Sequence, residues 1–424
     1  MLKGLANAFR IPELRQKILL TVGILLLYRF GAYLPVPGAP FQAMLAAYQA
    51  GLASSGPLAV LNLFSGGALS RMSVFSLGIM PYITAEIIMQ MMQAVIPSLG
   101  ELAKEGEAGR RKITQYNRYI TIALATVNAI GYFFLFKSYG VTFANTGVPE
   151  PIHAFIVVFT MVVGAILIMW LGEVMTQRGV GNGMSLIIFS NIMSGLPAAL
   201  ISSVTGTGNI VLTIITFIVI IAIIPLIIFI ERGQRRIPVQ YAKRVVGRQM
   251  MGGQSTYLPI KVNTAGVIPI IFASAILYFP AQLAALFNVG WLNVFADAVS
   301  TGWLNWILTV FLIVFFADFS TSMVFNPEET SDNIRKQGGF IPGIRPGKAT
   351  TEYIKNVLKR ITLPGGLFIA AIAVVPSILF YFTGNQLIQA FGGTSILIMI
   401  GVALDTMTKV ESQLKMHNYE GFFK

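Results

Sequence analysis

Four carboxylates, Glu86, Glu173, Asp318 and Asp405, fall in or beside long apolar stretches of the chain. Ionisable groups in such places are functional candidates by default, as proton relays or ion-coupling sites. No motif pairs them, and a metal site would need several such groups converging. The two histidines, His153 at a segment end and His417 in the tail, leave no imidazole inside an apolar run. Cysteine is absent, which excludes disulfides, thiolate ligands and thiol nucleophiles and leaves the redox compartment open. Gly343 to Thr350 resembles a phosphate-binding loop at a glance. Its glycine spacing is one residue short, and Ala349 stands where a Ser or Thr would hold magnesium. Gly179-Val180-Gly181-Asn182-Gly183 follows no strand, so it reads as a loop shaping the start of a helix and not as a nucleotide fingerprint.

What positions these residues is a membrane scaffold. The 424 residues are 55% hydrophobic and 11% charged. A soluble domain carries about 25% charged residues, so this chain could not cover a water-facing surface of its size. The apolar runs are long and continuous, unlike the alternating strands of about ten residues in an outer-membrane barrel. A spanning helix needs roughly 20 apolar residues. Ten such segments are predicted, at 18–35, 74–96, 116–137, 152–172, 184–201, 210–230, 264–287, 304–325, 365–384 and 391–409. An even count puts both termini on one side. Residues 1–17 are amphipathic and hold Pro12 and Glu13, and the run after them leads into Tyr28-Arg29-Phe30, so no cleavable signal sequence is expected.

Charge fixes the orientation. The net charge is +13, from 30 Lys+Arg against 17 Asp+Glu. All the Lys and Arg except Arg29, Arg71 and Lys137 fall in the two tails and the loops on the same side as them. By the positive-inside rule that side is cytoplasmic. The largest loops, 231–262 and 326–364, both lie there, and both are basic and too long for simple connections. Attraction to anionic headgroups would suit their charge. Their length and their Gly/Pro content, as in Gly338 to Gly347, favour a protein or ribonucleoprotein partner. The stretch Gly56–Met72 is apolar, too short to span and broken at Gly66-Gly67. It suits either a half-helix re-entering a cavity or an amphipathic helix on the outer surface.

Asn62-Leu63-Phe64-Ser65-Gly66-Gly67-Ala68-Leu69-Ser70-Arg71 and Leu77-Gly78-Ile79-Met80-Pro81-Tyr82-Ile83-Thr84 closely resemble the plug and second helix of the SecY/Sec61-alpha family of protein-translocation channels. Further matches follow in family order. They are Gly181-Asn182-Gly183 with Ser185 to Phe189, Glu231 to Pro238, Val262 to Pro269, Gly338 to Gly347, and Leu404-Asp405-Thr406. The resemblance spans nearly the whole chain. It implies an all-α polytopic membrane protein of ten transmembrane helices in two pseudo-symmetric inverted halves, with a re-entrant plug helix. The halves would be 1–205 (helices 1–5, plug 61–72) and 206–424 (helices 6–10 and both large loops). They would clasp an hourglass pore whose front, between helices 2 and 7, opens sideways to lipid.

The same resemblance implies residue roles. Ile79, Ile83, Met184, Ile188, Ile271 and Ile398 would form the pore ring. Ile79/Ile83 and Met184/Ile188 are i,i+4 pairs, each on one helix face. Met184 departs from the commoner isoleucine and would conform more loosely. Phe64, Ser65, Gly66, Gly67, Ala68, Leu69, Ser70 and Arg71 would form the plug, with Phe64 below the ring and the two glycines letting the short helix be displaced. Thr84, Gln90, Asn263 and Phe279 would form the lateral gate. Arg235, Arg236, Lys243, Arg244, Arg248 and Arg345 would dock the SecA motor and the ribosome, including ribosomal RNA, with Arg345 matching an arginine the motor step needs. Implied partners are SecE, SecG, SecA ATPase, the ribosome, signal peptides and preproteins, and the lipid bilayer of the cytoplasmic membrane. No cofactor or catalytic residue is implied.

Two other classes are weighed. A small-molecule secondary transporter suits broken helices but wants paired intramembrane charges. A membrane-embedded enzyme wants an intramembrane dyad, and none is visible. Glu86 stands where the family pattern leads one to expect a small or neutral residue, on the face of Ile79 and Ile83. It would pair with a basic neighbour or partner subunit, or wet the funnel above the ring. Glu86→Gln is expected to change stability, ion leak or transport, and no change in all three would remove that role.

Overall fold

The computed structural model describes residues 9, 11–40, 62, 64–138, 149–206, 210–241, 244–246, 249–251, 255–287, 289–300, 302–383 and 392–420. The chain is mostly helical. In order the helices are α1 (Pro12–Gly31), α2 (Met80–Val95), α3 (Pro97–Lys104), α4 (Glu107–Ser138), α5 (Glu150–Arg178), α6 (Gly183–Gly206) and α7 (Ile210–Glu231). Strands β1 (Gln234–Tyr241), β2 (Arg244–Val246), β3 (Gln249–Met251) and β4 (Ser255–Lys261) follow. Then come α8 (Ile268–Phe287), α9 (Gly290–Ser300), α10 (Gly302–Val324), α11 (Pro327–Lys336), β5 (Gly339–Phe340), α12 (Lys348–Thr383) and α13 (Gly393–Glu420).

Each of the ten predicted segments overlaps one of α1, α2, α4–α8, α10, α12 and α13. Among the described residues, α4, α5, α10, α12 and α13 are long and apolar enough to cross a membrane, and α6, α7 and α8 contain shorter apolar stretches. α2 packs on α4 and α8, α4 on α5 and α8, α8 on α10, α10 on α12, and α12 on α13. One apolar core runs through these helices, from Tyr28 to Val402.

Helix ends follow local chemistry. α1 opens with Pro12 at its start and Glu13 in its first turn, and closes with Arg29 in its last, each favoured by the helix dipole or by the orphan N–H groups. α2 starts at Met80, later than the predicted 74, because residues 74–79 are turns. Gly78 has φ +57° there, a left-handed conformation that glycine adopts without strain. α2 ends where Ile96 turns extended ahead of Pro97. Gly164 lets α5 meet the backbone of Val74, since a Cβ would lie 1.9 Å from the Val74 carbonyl oxygen.

The expectation of an all-α protein is corrected in the segments between α7 and α8 and between α10 and α12. β1 pairs antiparallel with β4 in the register Ile237↔Leu258 and with β5 at Gln240↔Phe340, giving the order β4-β1-β5. β2 and β3 form a separate hairpin. Along β1 Ile237 and Val239 are buried while Arg235, Arg236 and Gln240 are exposed, the two-residue period of a strand covered on one face. Because β5 pairs only at Gln240 and Tyr241, Pro238 has a strand on one side, where a residue without N–H is tolerated. Ile237, Val239, Ile260, Ile334, Ile341, Ile354 and Leu358 form a second core between sheet, α11 and the first turns of α12. The loops 231–262 and 326–364, read separately from sequence, are therefore one folded unit. α11 is polar, yet its start is capped by Asn326, whose Oδ1 accepts from the Glu328 and Glu329 amides at 3.1 and 3.4 Å. α12 runs unbroken from this core into its predicted span.

Ile354 is fully buried at the centre of this second core. Ile354→Ala is expected to cost about 2–5 kcal/mol of local stability. Hydrogen exchange in 234–241 and 255–261 should quicken, while the amides of α5 stay protected.

Candidate functional site

The turn-rich segment 64–72 sits on a polar node made by α1 and α6. Asn191 and Tyr28 are both fully buried. The Asn191 Nδ2 donates to the Tyr28 hydroxyl at 2.9 Å and to the Phe64 carbonyl at 2.6 Å. Arg29 donates from Nη1 to the Gly66 carbonyl at 3.0 Å. Both carbonyls lie in the segment read as a plug. Burying an amide or a guanidinium is costly unless its hydrogen bonds are made, so these contacts hold the segment in place. Tyr28 is itself fixed by stacking on Phe75, with centroids 5.4 Å apart.

Within the segment, side chains replace the bonds a helix would supply. The Ser65 hydroxyl accepts from the Leu69 amide, and Asn62 Oδ1 accepts from the Ser70 amide at 2.9 Å. Residues 65–72 form turns and not the expected short helix, with Gly66, Gly67 and Met72 at φ +66°, +82° and +43°. Three left-handed residues in one stretch are incompatible with α-helix. The two glycines do different things. A Cβ on Gly66 would lie 2.6 Å from Asn191 Oδ1 and 2.7 Å from Arg29 Nη1, so Gly66 is the close-approach point to the node. A Cβ on Gly67 would meet nothing. Arg71 stacks on the Tyr33 ring at 4.2 Å, and Arg29 lies 5.1 Å from the same ring.

All six residues read as a ring, Ile79, Ile83, Met184, Ile188, Ile271 and Ile398, are buried in the main core together with Phe64 and Leu69. They come from α2 and its lead-in, α6, α8 and α13. On α6 the order Met184, Ile188, Asn191 steps by four and three residues along one face, so Asn191 lies about 4.5 Å along the axis beyond Ile188. The chain thus sets the apolar contacts and the polar node on successive turns of one helix.

On the other side of Met184 lies a polar cavity of about 530 Å3. Asn182 and Ser185 of the α6 start, Glu231, Lys261, Asp405 and Lys409 line it. Asn263, expected in the lateral gate, is buried here. Its Nδ2 donates to both Glu231 carboxylate oxygens at 2.9 and 3.0 Å and to the Gly266 carbonyl at 2.8 Å, tying the end of α7 to the start of α8. Thr84 donates to the Met80 carbonyl of its own helix at 3.0 Å. Gln90 is half-buried on α2, and Phe279 on α8 is exposed. Helices α2 and α8 pack against each other.

The basic positions divide. Arg235 and Arg236 are exposed on β1, and Arg345 is exposed in the β5–α12 loop, where its carbonyl accepts from Thr350 Oγ1 at 3.0 Å. The second core joins these loops, so all three belong to one unit. Arg244 pairs with Met251 in the β2–β3 hairpin. Lys243 and Arg248 lie outside the described residues.

The four carboxylates near spans stay apart. Glu173 takes Arg118 in a two-pronged ion pair, Nε to Oε1 at 3.0 Å. Asp405 pairs with Lys409 at 3.2 Å. Glu86 is half-buried and makes no ion pair among the described residues. Asp318 is exposed on α10. Sequence reasoning missed the Tyr28–Asn191–Phe64 node. Arg29, a base inside an apolar run, was the available signal for it.

Three comparisons bear on this arrangement. The SecY family model matches residues 73–407. Among named relatives, "Protein translocase subunit SecY" of Streptomyces scabiei is 45% identical over 449 aligned residues, covering 100% of both chains. The protein of the same name from Mycobacterium tuberculosis is 46% identical over 445, again covering 100% of both. A solved structure reported as "The structure of a protein conducting channel" matches with TM-score 0.62 at 18% identity, over 93% of this chain and 91% of that one. "Sec61 in the Canine ribosome-channel complex from the endoplasmic reticulum" matches with TM-score 0.57 at 18% identity, over the same shares.

Asn191→Leu removes the shared donor of two buried acceptors at about 1–3 kcal/mol each. Planar-bilayer recordings of the variant are expected to show an ion leak that the unchanged chain lacks. Wild-type tightness in the variant would mean the node does not hold the segment.

Proposed function

The chain belongs to the SecY family, and we propose that it forms a protein-conducting channel. It moves signal-bearing unfolded polypeptides across the cytoplasmic membrane and releases hydrophobic segments sideways into lipid. The observation that carries this reading is one sequence of layers along α6. A polar vestibule lies at Asn182 and Ser185, apolar core contacts at Met184 and Ile188, and the anchored segment 64–72 at Asn191.

Each layer suits a polypeptide. The vestibule carries both charges and amides, which can solvate a passing backbone. Ile79, Ile83, Met184, Ile188, Ile271 and Ile398 are the proposed ring. Aliphatic side chains have no group to replace an ion's hydration shell, and a narrow apolar constriction dewets. The same side chains can part around a chain and close against whatever residue is passing. Phe64 to Arg71 then form the plug, held shut by contacts that a substrate must displace.

The sideways exit is assigned to α2 against α8, with Thr84, Gln90 and Phe279 along it. Asn263 acts as the hinge tie of α8 through Glu231. An apolar signal helix that binds the parted state selects it by differential affinity. Residues 1–205 and 206–424 are assigned as the two inverted halves, carrying ten spans with both termini cytoplasmic by the charge bias.

Partners are assigned to the folded cytoplasmic unit. Arg235, Arg236, Arg244 and Arg345, with Lys243 and Arg248, supply positive charge for SecA and for ribosomal RNA, and phosphate contacts of this kind weaken with salt. SecE and SecG complete the membrane complex. The driving energy comes from SecA, the translating ribosome or the membrane potential.

The test is reconstitution with SecE in proteoliposomes, with SecA and ATP outside. A signal-bearing unfolded preprotein is expected to become protease-protected with the wild-type chain and not with Arg345→Glu. No protection with either, in assembled complex beside a working control channel, overturns the proposal.

A further inference from the structure

We propose that the groove between α10 and α12 is a binding site for one zwitterionic phospholipid, with an ammonium-and-phosphate headgroup and an acyl chain. The groove encloses about 700 Å3. Its walls are Trp306, Val310 and Phe311 of α10 and Leu367 and Val374 of α12, and its mouth carries Asp318 and Lys359.

Asp318 is the unusual element. Acidic groups in spanning segments almost always face the bundle interior or a water-filled cavity. Asp318 is exposed, on the same helix as the exposed Phe311 and Phe315. Neither Asp318 nor Lys359 is in an ion pair among the described residues, although both line one mouth. An uncompensated carboxylate at a membrane boundary favours a cation, and a lysine beside it favours an anion. A zwitterionic headgroup supplies both, its ammonium to Asp318 and its phosphate to Lys359, whose flexible stem can follow the apolar wall. A headgroup with phosphate and no cation would leave Asp318 opposed.

The dimensions fit a tail. Trp306 and Asp318 are separated by about 18 Å of helix at 1.5 Å per residue. At the far end Trp306 packs edge-on to Tyr381, with centroids 5.7 Å apart. Behind the groove the helices are drawn together at Gly366, where a Cβ would lie 3.3 Å from Ala317 Cβ. The groove is therefore a shallow channel with a closed back, about 18 Å long.

The site requires only that α10 and α12 lie in a membrane, so it is tested without transport. The full chain, assembled with its subunits, is placed in nanodiscs of equimolar phosphatidylethanolamine and phosphatidylglycerol and examined by native mass spectrometry. One phosphatidylethanolamine retained in preference to phosphatidylglycerol is expected. Asp318→Asn should lower that preference about fivefold, Lys359→Gln should weaken both lipids, and Val310→Trp should remove retention by filling the groove. Lys336→Gln, outside the groove, should change nothing. Equal retention of both lipids, or retention indifferent to Asp318→Asn, overturns the proposal. So does a photocross-linker at position 311 that captures a protein and no lipid. If Val310→Trp fails to assemble, Asp318→Asn decides alone. No lipid preference in the unchanged chain, with intact preprotein protection, would sink this site and leave the channel standing.

Discussion

The Asn191 amide is the contact on which the arrangement turns. In a low-dielectric interior a polar group must find its partners within the protein. Asn191 finds them in α1, through the Tyr28 hydroxyl, and in the Phe64 carbonyl of the segment beside the core. One side chain therefore joins three stretches far apart in sequence. Arg29 repeats the device at Gly66, and only a glycine fits there because Asn191 Oδ1 and Arg29 Nη1 crowd the place of a Cβ. The segment they hold is also tied at its end, where the Met72 carbonyl accepts from the Val36 amide at 3.0 Å, so the side-chain donors share the hold with a backbone bond. Such a tie is firm while dry and weak once wetted, since water competes for the same carbonyls. That property suits a closure that must yield to a substrate.

A second constraint organises the opposite side. The sheet unit has its own core, built from β1, β4, α11 and the start of α12, and α12 continues from it into the membrane region without a break. A force applied at the β5–α12 loop is thereby delivered along a helix rather than through a slack connection. Asn263 gives a comparable link where β4 leads into α8, through Glu231 at the end of α7. Both connections run from the sheet unit to helices that border the apolar core.

Charge is distributed with the same economy. Glu173 is matched by Arg118 and Asp405 by Lys409. Glu86 and Asp318 are not matched within the described chain. The two differ in surroundings, Glu86 half-buried on α2 and Asp318 open on the outer surface of α10.

Composition and punctuation determined a great deal. Long apolar runs broken by charged loops placed the helices, because a bilayer leaves helix as the available way to satisfy a spanning backbone. The motif order from Asn62 to Thr406 set the family. Spacing alone put Ile79 with Ile83 and Met184 with Ile188 on common faces. Tertiary structure decided the rest. The sheet joining loops 231–262 and 326–364 was illegible because β1 and β5 are some hundred residues apart and β1 is dominated by Arg and Gln, with only Ile237 and Val239 marking its period. Segment 64–72 reads as a helix by composition, yet its turns are imposed by left-handed Gly66, Gly67 and Met72 and by donors on other helices. The family resemblance assigns Asn263 to the gate, and the carboxylate it binds lies at the end of the preceding helix, beyond the strands. In each case the deciding partner is distant in sequence, and local pattern carries no information about distant partners.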